Sequence, residues 1–161
     1  MTKPAGYVSA SVIDVIETRS GDAVLLADET GNTVLPIFVG GTEAMTIKLR
    51  MEGKHYKRPL THDLLSDMMK DLGGTALKVQ VDDLRNDTFI GSAFIEKSDG
   101  TVVELDARPS DCIAMALGEK VPIYVKQRVF DSAGIDKSEI EGDGEDKPKP
   151  QKHKRGEPLS L

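Results

Sequence analysis

The sequence predicts an α+β fold: a mixed, largely antiparallel sheet with several short helices packed on it. Three observations carry that expectation. Residues run apolar or alternate at the period of a strand in two separate groups, before residue 40 and between 77 and 105. Short helix-period segments lie between and after these groups. Turn residues, rather than the long crossovers a parallel sheet needs, separate most neighbouring strands.

Tyr7 to Val15 alternates or runs β-branched, and Ala23 to Asp28 and Thr33 to Val39 are two more apolar runs joined through Glu29-Thr30-Gly31-Asn32. Strands flanking a Gly-Asn turn form a hairpin, so this stretch reads as an antiparallel meander. Pro36 has no N–H for a ladder and requires an edge or a bulge. Gly40-Gly41-Thr42 breaks the pattern, and Glu43 to Glu52 then follows helical spacing up to Gly53. Thr42 is the expected N-cap, with Glu43 set against the positive end of the helix dipole.

A second helix is expected from Thr61 through Leu64, Leu65, Met68, Met69 and Leu72, where apolar positions recur at three- and four-residue steps until Gly73-Gly74. Leu77 to Val81, Thr88 to Ile95 and Val102 to Leu105 read as strands, joined by Arg85-Asn86-Asp87 and Ser98-Asp99-Gly100. A third helix runs from Ser110 to Gly118, a short strand from Val121 to Val125, and a last helix from Lys126 to Ala133.

Residues 1–135 therefore make one domain. From Asp136 to Asp146 six acids face one base, and from Lys147 to Arg155 five bases face no acid. Such a segment cannot bury enough surface to offset its ordering entropy, so 136–161 is expected to be a disordered charged tail. Either it serves solubility, or its basic part tethers polyanions.

The formal net charge of −6 argues against a surface built to coat nucleic acid, because Lys and Arg supply most non-specific affinity. It leaves room for a local cationic cleft. The single cysteine, Cys112, lies in an apolar helical pattern and reads as a packing residue. No stretch approaches a membrane span and no signal-like segment opens the chain, so no membrane partner is expected and the cytoplasm is the expected compartment.

Two cassettes carry the chemistry. Arg58-Pro59-Leu60-Thr61-His62-Asp63 and Arg108-Pro109-Ser110-Asp111 each run an Arg-Pro pair into a hydroxyl and an aspartate where a helix begins. A guanidinium, free backbone N–H groups and a carboxylate at a helix start are the parts of a phosphate or metal site. They are also the parts of a plain helix start: Thr61 and Ser110 as N-caps, Asp63 and Asp111 as dipole partners, Arg58 and Arg108 as internal ion pairs. Ahead of the first cassette, Gly53-Lys54-His55-Tyr56-Lys57 is a cationic loop with one aromatic ring able to stack on a base.

With these pieces in view, the chain resembles the bifunctional nuclease family. Leu35-Pro36-Ile37-Phe38-Val39-Gly40 with Glu43-Ala44, the first cassette through Leu64, Asp87-Thr88-Phe89, Asp106-Ala107 with the second cassette, and Pro122-Ile123-Tyr124-Val125 match in order across residues 7 to 135. Phe38 stands where many relatives carry tryptophan, and Cys112 where alanine is usual. The resemblance implies a nuclease acting on DNA and RNA, and a homodimer or higher homo-oligomer.

Phosphodiester hydrolysis needs an activated water, charge stabilisation on phosphate oxygens and relief for the leaving alkoxide. His62 is the expected base or ligand, since histidine exchanges protons near neutrality. Arg58 and Arg108, with Thr61 and Ser110, are expected to hold substrate. Asp63, Asp106 and Asp111, with Glu43, are oxygen donors suited to Mg²⁺ or Mn²⁺. Adjacent helical residues point about 100° apart, so His62 and Asp63 should not share one ion, whereas Asp106 and Asp111 are the expected carboxylate pair. Two other readings remain open: a non-catalytic module that binds phosphate or nucleic acid, and an oligomeric scaffold whose polar set is an internal salt-bridge network.

Overall fold

A computed structural model describes residues 2–141. In chain order the elements are β1 (Tyr7–Thr18), β2 (Gly21–Ala27), β3 (Thr33–Val39), α1 (Gly41–Met51), α2 (Thr61–Asp71), β4 (Thr75–Arg85), β5 (Thr88–Glu96), β6 (Val102–Ala107), α3 (Pro109–Glu119), β7 (Ile123–Lys126), α4 (Gln127–Ala133), β8 (Ile135–Asp136) and α5 (Lys137–Glu141). The strands form one sheet in the order β6-β5-β4-β7-β1-β2-β3-β8. Every pairing is antiparallel except β4 with β7, so the α+β expectation holds.

The one parallel pairing positions the site. Returning from β4 to lie parallel beside it, the chain passes through β5, β6 and α3, which carries α3 across the sheet. Cys112, Ile113 and Ala116 of α3 then pack with Val79, Val81 and Ala93 of the sheet, Ile47 of α1, and Val129 and Phe130 of α4. β1 serves both halves of the sheet: Tyr7 to Ala10 pair with β7, and Ser11 to Thr18 with β2. A bulge between Val12 and Asp14 lets the strand bend between these duties.

The opposite face of β4 is polar. Lys78 Nζ donates to Gln80 Oε1 at 2.7 Å and Gln80 Nε2 to Asp82 Oδ1 at 2.8 Å. Tyr7 OH and Ser92 Oγ add 2.6 and 2.7 Å bonds to the Asp82 carboxylate. This alternation lengthens β4 well beyond the expected Leu77 to Val81, whose limits followed apolar residues alone. Asn86 and Asp87, both at positive φ of 48° and 59°, make the tight turn into β5.

Several local expectations change. α1 begins at Gly41 with Gly40 as N-cap, so Thr42 lies inside the helix and does not cap it. Gly118 does not end α3, whose left-handed C-cap is Lys120 at φ 56°. A Cβ on Gly118 would lie 2.1 Å from Arg50 Nη1, so glycine is there for the close approach of a guanidinium. Pro36 fits its edge requirement, because β8 covers only Thr33 and Val34 of β3. Ordered structure also continues past the expected boundary at 135: Ile135 and Asp136 pair with β3, and Lys137–Glu141 form α5. The rest of the expected tail, 142–161, lies outside the described residues. Among the described residues, no helix is long and apolar enough to cross a membrane.

Candidate active site at three helix starts

α1, α2 and α3 begin close together, and each carries an acid three residues after its N-cap. The N-caps are Gly40, Leu60 and Arg108, and the acids are Glu43, Asp63 and Asp111. An acid at this position ordinarily reaches back to the N-cap backbone and complements the dipole. Asp63 does so: Leu60 N–H donates to its Oδ2 at 2.8 Å. Glu43 and Asp111 instead turn toward one guanidinium.

That guanidinium belongs to Arg108. Its Nε donates to Asp111 Oδ2 at 2.8 Å, and its Nη2 to Asp111 Oδ1 at 3.0 Å and Glu43 Oε1 at 3.2 Å. The fork on Asp111 is bidentate and charge-assisted. Hydrogen bonding and charge from Asp111 first, then from Glu43, raise the Arg108 pKa above its ordinary value. Nη1 makes no hydrogen bond among the described residues, and the side chain is 64% exposed, which leaves donors facing solvent.

His62 joins the cluster from α2, with Nε2 3.6 Å from Asp111 Oδ1. This is ion-pair range for a protonated imidazole, longer than a hydrogen bond. His62 and Asp63 diverge as their helical positions require: Asp63 Oδ1 faces Arg50 Nη2 at 3.5 Å on the other side. The two cassettes, remote in sequence, therefore meet through His62 and Asp111.

The remaining expected residues are placed differently. Arg58 is exposed and has no hydrogen bond or ion pair among the described residues, so it is not an internal ion-pair residue. Thr61 and Ser110 sit one and two residues inside their helices and do not cap them, and Ser110 is buried. Asp106 does not join Asp111. It pairs with Ser92, whose hydroxyl bonds Asp82 on the polar face, whereas Cys112 of α3 packs where a Cβ on the preceding residue, Gly91, would point. Strand alternation therefore turns the Asp106 side chain to the face opposite α3.

The donor set does not fit Mg²⁺ or Mn²⁺ in this geometry. Glu43 and Asp111 converge, but the Arg108 guanidinium bridges them. Among the described residues, no group of three or more His, Cys, Asp or Glu is arranged to hold a metal ion.

Sequence reasoning missed Arg50. Its side chain is only 12% exposed; Nη1 donates to Ala114 O of α3, and Nη2 faces Asp63 of α2. One α1 residue thus fastens the start of α2 to α3. Gly118, in the last turn of α3, marks the close approach, but from the sequence alone it reads as the helix stop.

Two openings flank the cluster. A recess of about 20 Å³, the size of one water, is lined by Arg50, Lys54, His55, Tyr56, His62 and Asp63. Lys54 of the cationic loop is held by Glu52 at 2.8 Å. On the other side lies a cleft of about 610 Å³, walled by α2, β5, β6 and α3, with Asp106, Arg108 and Asp111 among its lining residues. Cys112 at its base has its thiol pushed up to about 12, by burial first and then by the charges of Asp111, Asp82 and Asp106. It is a packing residue at neutral pH.

Comparison with known proteins gives one consistent family. A model described as the bifunctional nuclease domain matches residues 24–138. An uncharacterized protein of Mycobacterium tuberculosis is 36% identical over 130 residues, covering 81% of this chain and 77% of that one. Bifunctional nuclease 1 of Oryza sativa subsp. japonica is 25% identical over 127 residues, covering 77% of this chain and 38% of its own length. Bifunctional nuclease 2 of Arabidopsis thaliana is 24% identical over 181 residues, covering 86% and 55%.

Proposed function

The chain belongs to the bifunctional nuclease domain family, and from that premise we propose that it hydrolyses phosphodiester bonds of DNA and RNA at the cluster of Arg108, His62 and Asp111. The observation that carries this reading is the His62–Asp111 approach beside an exposed guanidinium with unspent donors. Arg108 binds non-bridging phosphate oxygens through Nη1, and charge developing on them in the transition state strengthens that contact. His62 takes the proton of the attacking water as its oxygen bonds to phosphorus, Asp111 stabilises the imidazolium that forms, and the P–O bond opposite the attack breaks with the leaving oxygen taking its proton from solvent. Glu43 and Asp111 fix the plane of Arg108 before substrate arrives. Arg58, exposed ahead of α2, supplies a second guanidinium to the strand.

A second reading has its own support. Arg108 is already engaged by two carboxylates, and Arg50 is tied to Asp63, which is the internal network of a phosphate-binding module or scaffold. The discriminating experiment offers labelled single-stranded DNA and RNA to wild type and to an Arg108→Ala, Asp111→Asn double variant. Turnover lost in a folded variant supports hydrolysis. Binding without cleavage by wild type supports the module, and equal turnover by both proteins removes this site from the reaction.

The expected homo-oligomer is attached here to α2. No residue of this helix is buried, and Leu64, Met68 and Leu72, the last at its C-cap, are 54%, 51% and 79% exposed, while His62 and Met69 face the body and Leu65 faces the cleft. An apolar stripe of this kind on an amphipathic helix is the surface a second copy covers.

A further inference from the structure

Resting on the hydrolytic reading, we infer that the cleft beside Arg108 receives an unpaired nucleobase, so that the substrate is a single strand whose base enters the cleft while its phosphate meets Arg108. The cleft measures about 610 Å³, within the roughly 300 to 1,000 Å³ of small-molecule sites. Its walls are mainly apolar: Leu65 of α2, Phe89 of β5, Leu105 of β6 and Met115 of α3, with one hydroxyl, Thr88. Leu65 and Leu105 are 51% and 48% exposed, so this lining is open to an incoming ring and not closed by packing.

The mouth supplies one cationic donor set among carboxylates. Arg108 reaches the cleft edge with Nη1 free of hydrogen bonds among the described residues, while Nε and Nη2 are spent on Asp111 and Glu43. A nucleotide presents the matching pair of features, a flat apolar ring and an anion joined by a sugar. Apolar walls grip any base by its face, which gives binding with little sequence preference. A base in a duplex must first leave its stack to enter, so the same cleft disfavours double strands.

The test is fluorescence anisotropy with a labelled octathymidylate of phosphorothioate backbone, which slows cleavage, beside an abasic strand of the same length and its duplex form. Wild type should bind the base-bearing single strand at least about tenfold more tightly than the abasic strand and at least about fivefold more tightly than the duplex. Leu65→Gln with Leu105→Gln keeps the charge and removes two walls. This variant should lose most of the base preference while its affinity for the abasic strand stays within about twofold. Equal affinity of wild type for base-bearing and abasic strands, an undiminished preference in the double variant, or no saturable binding of any strand would overturn the cleft assignment. Cleavage measured in parallel separates the two ideas. Turnover without base preference removes the cleft and leaves hydrolysis, whereas base preference without turnover leaves the cleft and removes hydrolysis.

Discussion

His62 of α2 and Asp111 of α3 approach to 3.6 Å, Nε2 to Oδ1, and this is the contact through which the two Arg-Pro cassettes meet. If the pair works as one unit, its members are not independent. His62→Ala should lower turnover by about 10²-fold or more, the usual share of a general base. Asp111→Asn should lower it by less, and the double variant should fall little below His62→Ala alone. Rates from the three variants, each with unchanged circular dichroism, check this. Multiplicative losses would show that the two residues act separately.

Arg108 stands between the Glu43 and Asp111 carboxylates. Removing it leaves two acids facing each other, an arrangement relieved by a cation. Arg108→Ala should therefore bind Mn²⁺ at least about tenfold more tightly than wild type by calorimetry, while its affinity for a single strand falls and its salt slope drops by about one. Wild type binding Mn²⁺ as tightly as the variant would show that the guanidinium does not occupy the cation's place.

Arg50 ties α1 to α2 and α3 from a largely buried position. Arg50→Ala removes the charge-assisted contacts to Ala114 O and Asp63, at a cost of about 1.5 to 3 kcal/mol. Gly118→Ala places a methyl on the guanidinium and should cost about 1 to 3 kcal/mol through the same contact. In urea titrations the two effects should be less than additive, because either change breaks the Arg50 linkage. Full additivity would mean that Gly118 serves something other than Arg50.

The exposed stripe on α2 gives a prediction about assembly. Met68→Glu with Leu72→Glu should leave the fold intact, since both side chains face solvent in the single chain, and should shift the mass measured by light scattering toward the monomer. An unchanged mass would take the interface away from α2.

The cassettes were legible in the sequence because helix starts are local: proline, hydroxyl and acid within four residues announce Pro109–Glu119 and Thr61–Asp71 almost to the residue. Even there, local signals misassigned the caps, since Thr61 and Ser110 lie just inside helices begun by Leu60 and Arg108. The meeting of His62 with Asp111, and of Arg108 with Glu43, depends on α3 crossing the sheet between β6 and β7, which local periodicity does not encode. Asp106 shows the limit most clearly. It stands close to Asp111 in the chain, but its pairing with Ser92 turns it to the other face of the sheet. Arg50 was hidden for the same reason, as Ala114 lies on a different helix and only Gly118 marks the approach.

The most direct measurement of the central claim is the cleavage rate of a labelled single-stranded oligonucleotide by wild type and by the Arg108→Ala, Asp111→Asn variant, purified side by side and both shown to be folded. Hydrolysis at this cluster predicts a loss of about 10²-fold or more in the variant, because phosphate contact and imidazolium support go together. Equal rates from the two folded proteins would contradict it.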